Sequence, residues 1–184
     1  MKKRNQKNKW IDIVHFDNED NIPTRVKNQI LALDDKLASL ISGYCRRLCR
    51  PGLHTLRQWN QLWTKNYSNL VLLVVKPSRY SDVIWSDIKV VGYLHYTKDL
   101  DSATNKTSIY ISDMWVEPEF RRKHWASSMV RSVFDKYPGA YFEVSVMNMN
   151  ETANDFWNSM GFVTPIYTNY MYQDPVNDIS EEVE

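Results

Sequence analysis

Hydrophobic and polar positions follow two rhythms along the chain, and the changes between them mark its elements. Residues 10–16, WIDIVHF, alternate apolar and polar side chains, the period of a strand with one buried face. After Pro23 the period lengthens: Val26, Ile30, Leu33, Leu37 and Leu40 follow at helical steps, forming one apolar stripe. Gly43 is expected to end that helix. A shorter second helix is predicted over 54–65, where Leu56, Trp59 and Trp63 recur after Pro51-Gly52. Strand-like runs at 70–76, 89–97 and 107–116 form a meander, separated by turn-rich segments at 77–87 and 98–106. The pattern is helical again over 122–137, with Trp125, Met129, Val130, Val133 and Phe134 on one side and Pro138-Gly139 as the stop. A strand at 141–147 leads to a helix at 150–160, whose apolar face is Ala153, Phe156, Trp157 and Met160 and whose end is Gly161. A last strand is expected at 163–172. The order is β-α-α-β-β-β-α-β-α-β, a mixed α/β fold.

The 184 residues, 43% of them hydrophobic, suffice for one domain with a substantial core, expected over 10–174. It is flanked by a basic tail, MKKRNQKNK at 1–9, and an acidic tail at 175–184. A formal net charge of +1 argues against a general binder of nucleic acid or membrane surfaces, which needs a one-sided charge excess. Cys45 and Cys49 lack the further Cys or His partners of a zinc site, so they read as packed thiols and no metal is expected. The basic start lacks the apolar run of a secretory signal, and the stretch 70–75 is too short to cross a bilayer. A cytoplasmic protein, monomeric or homodimeric and without membrane contact, is the expectation.

The segment 109–130, IYISDMWVEPEFRRKHWASSMV, carries the chemistry, because a strand runs through a short turn directly into a helix. The first turn of a helix leaves main-chain N–H groups unpaired, and the helix dipole gathers positive charge there, so such an end binds phosphate oxygens. Arg121, Arg122 and Lys123 cluster at that end, where cations oppose the dipole unless an anion is near. The alternative is a solvated basic turn.

V-x-P-x-F-R-R-K-H-W-A, followed by N-x-x-A-x-x-F-W-x-x-M-G-F, resembles the GCN5-related N-acetyltransferase (GNAT) superfamily over 107–162. The resemblance implies a mostly antiparallel central sheet flanked by helices and acetyl-CoA as cofactor. Its pyrophosphate would be held by main-chain groups of the R-x-x-G-x-G/A loop, here Arg121, Arg122, Lys123, His124, Trp125 and Ala126, with Ser127 next. His124 stands where the family has its first glycine, Arg122 where a glycine is frequent, and Ala126 keeps the small last residue. Met114, Trp115 and Val116 match the strand segment near a β-bulge whose backbone would bind the pantetheine arm and the thioester carbonyl. Asn150 either caps the next helix or contacts the cofactor, with Ala153 and Trp157 on the same helix.

Direct transfer to an amine needs a proton acceptor and a donor for the leaving thiolate. The family's tyrosine near the G-F pair is replaced here by Trp157, which has no acidic hydroxyl, so Tyr170 on the last strand, near Tyr167 and Tyr172, is the candidate donor. Relatives that acetylate histones carry a glutamate where this chain has Tyr110. Asp113 and Glu143 are the nearest carboxylates on the strands flanking the cleft, and each is otherwise a solvated strand residue. His95 has a suitable intrinsic pKa but no recognisable partner and reads first as structural. Arg46, Arg47 and Arg50, with His54 and Arg57 behind them, mark the acceptor side, where they would meet an acidic or phosphorylated group or else form an exposed helix end.

Three functions are compatible with these features. The first is an acetyl-CoA-dependent N-acetyltransferase acting on a primary amine of a protein, peptide or small molecule. The second is a transferase of the same fold modifying a nucleobase or RNA, favoured by the arginines and opposed by the net charge. The third is a non-catalytic binding or inhibitory relative.

Overall fold

The structure is a computed structural model and describes residues 10–16, 22–47, 69–77, 86–101, 105–147 and 150–163. Five strands, β1 (Trp10–Phe16), β2 (Leu70–Lys76), β3 (Lys89–Asp101), β4 (Lys106–Val116) and β5 (Tyr141–Val144), form one sheet in sequence order among these residues. The first four are antiparallel, and β5 joins β4 in parallel. Helix α1 (Thr24–Arg47) covers one face, while α2 (Trp125–Lys136) and α3 (Glu151–Ser159) pack with the core of the other. β2, LVLLVVK, is buried on both faces through Val74, which explains why it is a continuous apolar run rather than an alternating one.

The two faces sort the side chains by parity. Val26, Ile30 and Leu33 of α1 meet Leu70, Leu72, Val74, Val90 and Tyr93, whereas Met129, Val130 and Val133 of α2 meet Val71, Leu73, Leu94, Tyr96, Ile109 and Ile111. Burying each such aliphatic side chain contributes about 1.5–3 kcal/mol. The α1 stripe fades outward, for Leu37 is partly buried and Leu40 is exposed.

Several boundaries differ from the expected ones. Gly43 does not end α1, which continues to Arg47. A glycine stops a helix where the backbone turns left-handed, as at Gly139 (φ 80°) and Gly161 (φ 92°); inside a helix it costs only about 1 kcal/mol relative to alanine. β3 extends to Asp101, shortening the expected turn, because its ladder to β4 continues through Asp101↔Lys106. β5 stops at Val144 instead of 147, and α2 starts at Trp125 instead of 122. Val163 lies outside any strand. The predicted helix at 54–65, the remainder of the last strand, both tails, Cys49, Arg50 and the three tyrosines Tyr167, Tyr170 and Tyr172 fall outside the described residues.

The M-G-F signature has a local cause. Phe162 N–H donates to the Trp157 carbonyl (3.1 Å) and Gly161 N–H to that of Asn158 (3.0 Å), the paired bonds of a Schellman C-cap. Its usual hydrophobic contact is the edge-on packing of Trp157 against Phe162, with ring centroids 5.1 Å apart.

Candidate functional site

The sheet forks between β4 and β5. Their parallel pairing runs from Ser108↔Tyr141 to Ile111↔Val144 and stops, and 145–147 continue outside any ladder. Beyond the fork β4 remains paired with β3, through His95↔Asp113, Leu94↔Met114, Tyr93↔Trp115 and Gly92↔Val116. Met114, Trp115 and Val116 therefore lie along an edge that β5 has left, where main-chain groups face no neighbouring strand in the described sheet. The register slips at the same level, from Tyr96↔Ile111 to His95↔Asp113, leaving Ser112 as the extra residue of a β-bulge. Gly92 is required at the other end of this stretch, since a Cβ there would lie 2.9 Å from the Trp115 carbonyl oxygen. An isolated glycine in a strand was the available sequence signal for such an approach.

From Val116 the chain enters the turn that starts α2. Glu117 N–H donates to the Val91 carbonyl (2.9 Å), and the Glu117 carboxylate pairs with Lys36 of α1. A short 3-10 turn, Pro118–Phe120, follows. Arg122 (φ 59°) and His124 (φ 63°) then take left-handed conformations. They occupy the two positions at which the motif resemblance predicts glycine. For a residue with a Cβ this conformation costs about 1–2 kcal/mol, so the loop keeps a backbone path that glycine would adopt freely. No side chain caps α2, and at its start Ser128 N–H donates to the His124 carbonyl (2.9 Å). The N–H groups of Trp125, Ala126 and Ser127 precede it and have no acceptor within the helix.

The basic side chains of this loop divide into two kinds. Arg121 Nε donates to the Val116 carbonyl (2.7 Å), and Lys123 Nζ donates to the Glu119 carbonyl (2.8 Å), so both brace the loop itself. Arg122 and His124 are exposed beside the helix start. Asn150 Oδ1 accepts from Ala153 N–H (3.2 Å), the geometry of an N-cap. Ala153 is half-buried, and Trp157, 7% exposed, is core, packed edge-on against Phe156 as well as Phe162. Met114 packs against the α2 side of the sheet and Trp115 against the α1 side.

The two carboxylates have different surroundings. Glu143 is exposed on β5 opposite Tyr110. Asp113 is only 8% exposed, and its Oδ2 lies 3.7 Å from His95 Nδ1; Ser112 Oγ lies 2.6 Å from the same nitrogen. His95 thus has the partners that its sequence context did not reveal. On the same face the Tyr93 hydroxyl donates to Asp34 Oδ1 of α1 (3.0 Å). Burial, reinforced by the negative charges of Asp34 and Asp113, pushes the Tyr93 hydroxyl well above its ordinary pKa. Asp34 follows Ile30 by four positions on the inward stripe, and a charge at such a position was the signal overlooked. Arg46 and Arg47 form the last turn of α1, next to the undescribed segment that contains Arg50.

A forked, mostly antiparallel sheet feeding an uncapped helix start defines the GNAT fold. Residues 43–162 match the model of the acetyltransferase (GNAT) family, and the chain belongs to that family. Solved structures agree in fold. A probable acetyltransferase is similar at 16% identity and a TM-score of 0.60, covering 88% of this chain and 96% of its own. An aminoglycoside acetyltransferase from an uncultured soil metagenomic sample, in complex with trehalose, is similar at 14% identity and a TM-score of 0.56, covering 89% and 95%. The ribosomal-protein-alanine N-acetyltransferase of Brucella melitensis biovar Abortus 2308 is similar at 12% identity and a TM-score of 0.52, covering 90% and 100%. Among curated proteins, none matches this chain in sequence. No described helix is long and apolar enough to cross a membrane.

Proposed function

We propose that this chain is an acetyl-CoA-dependent N-acetyltransferase that acts on a primary amine of a protein, peptide or small molecule. The observation that carries the reading is the continuity of the open β4 edge with the uncapped start of α2. Main-chain N–H groups of Trp125, Ala126 and Ser127 would hold the pyrophosphate, with Arg122 and His124 as exposed donors beside them. The left-handed backbone at Arg122 and His124 fits this role, because it is the local path that the family's glycines otherwise supply. Acetyl-CoA supplies the acyl group as a thioester. The β4 edge at Met114, Trp115 and Val116 would align the arm by main-chain hydrogen bonds and polarise the thioester carbonyl, a donor arrangement in which each bond contributes about 3 kcal/mol to the transition state.

Asp113, buried two residues past the last β4–β5 pair, anchors the proton-accepting side, while Glu143 stands exposed one pair before the end of the ladder. Tyr170 is the proposed proton donor to the thiolate, and Arg46, Arg47 and Arg50 the acceptor wall. Calorimetric titration with acetyl-CoA tests the reading directly. Saturable binding, weakened about tenfold or more by Arg122→Glu, is the expected result, since a charge-assisted contact is worth about 1.5–3 kcal/mol. No binding at millimolar acetyl-CoA would exclude the assignment.

A further inference from the structure

The α1 face of the sheet contains a polar group of residues where apolar packing would otherwise continue. Tyr93, within that core and fully buried, fixes the parity of β3, so His95 two residues later faces the same side. Successive residues of a regular strand point to opposite faces, yet Ser112 and Asp113 both reach His95 Nδ1. The bulge at Ser112 makes this possible, and it falls immediately past the fork. His95 is 6% exposed. Among the described residues, no three His, Cys, Asp or Glu side chains are placed to hold a metal ion.

We infer that His95 accepts the proton of the acceptor amine, with Ser112 and Asp113 as its positioning residues. The inference rests on the acetyltransferase reading. In the step, the ammonium form of the acceptor first gives one proton to the imidazole, and the neutral amine nitrogen then forms a bond to the thioester carbonyl carbon as the carbon–sulfur bond breaks. The second proton shed by that nitrogen balances the one the thiolate takes to depart as the free thiol. Asp113, on the Nδ1 side, stabilises the imidazolium; Ser112 Oγ, which also lies 3.3 Å from the His95 carbonyl, fixes the ring plane. Among the described residues, the other ionisable groups on this face include Tyr93 of β3, Asp34 of α1, the Lys36–Glu117 pair between α1 and the β4 turn, and the Asp12–Lys76 pair at the β1–β2 edge. Tyr93, its pKa raised by burial beside Asp34 and Asp113, stays neutral and adds no negative charge to this face.

The test compares two nucleophiles with the full-length protein and acetyl-CoA. Kanamycin and spermidine are ammonium ions near neutral pH and need a base, whereas hydroxylamine is already neutral and does not. His95→Gln is expected to lower kcat/KM for the ammonium probes by about a hundredfold or more, the usual worth of a general base, while changing the hydroxylamine rate less than about threefold. Asp113→Asn is expected to do the same to a smaller degree. Equal losses with both kinds of nucleophile, or no loss with either, would overturn the inference while acetyl-CoA binding remained intact. Absence of acetyl-CoA binding by the wild type would remove the underlying reading as well. Should His95→Gln not fold, Ser112→Ala supplies the same comparison, with an altered pH profile for the ammonium probes and an unchanged one for hydroxylamine expected.

Discussion

The guanidinium of Arg121 lies over the indole of Trp115, its carbon 4.6 Å from the ring centroid, while its Nε donates to the next carbonyl, that of Val116. The phosphate-loop candidate is thereby clamped to the open end of β4. Arg121→Ala removes a charge-assisted hydrogen bond and a cation–π contact. It should lower stability by about 1–3 kcal/mol and weaken acetyl-CoA binding through loosening of the loop. Arg121→Lys should restore little, because a lysine lacks the planar fork. Chemical denaturation together with calorimetry reads both effects.

His124 holds a left-handed backbone that favours glycine. His124→Gly should stabilise the fold by about 1 kcal/mol through relief of that strain. Removing the imidazole also takes away an exposed donor beside the N–H groups of α2, so the acetyl-CoA dissociation constant should rise by about two- to tenfold. A loss of stability would show that the imidazole contributes more than its backbone conformation costs.

Asn150 is occupied as a helix cap. Asn150→Ala should cost about 1 kcal/mol in denaturation experiments, and Asn150→Asp or Ser should recover most of it. If Asn150 also contacts the cofactor, the capping substitutes would regain stability without regaining acetyl-CoA affinity.

Tyr93 gives the fold an alkaline dependence. Its pKa is raised in the folded state, so both states keep the proton below the unfolded value of about 10 and its contribution is fully present there. Above that pH the unfolded chain releases the proton while the folded one retains it. Stability should therefore fall as pH rises toward the folded pKa, by up to about 1.4 kcal/mol per pH unit from this group. Tyr93→Phe should flatten that part of the slope while lowering stability near neutrality, since the Asp34 carboxylate loses its hydroxyl donor. Denaturant titrations on either side of pH 10 measure the difference.

Local order supplied much of this protein before any tertiary contact was considered. The step from alternating to helical spacing fixes the stripe of Val26, Ile30 and Leu33, the apolar run of β2, and the passage of β4 into α2, because these patterns arise from residues close in the chain. The same holds for Asn150 and for Gly161-Phe162, whose capping bonds span only a few residues. The Arg121, Arg122 and Lys123 cluster was legible as charge, but which cation braces the loop and which faces outward depends on β4 ending within reach of Arg121. His95 was legible only as a histidine. Its partners come from β4, and they reach it because one extra residue at Ser112 shifts the side-chain parity of that strand. Asp34 and Tyr93 meet for a similar reason, α1 being folded across the face on which β3 presents its hydroxyl. A bulge and a packing face are properties of strands already paired, so the chemistry of this face exists only once the sheet has formed.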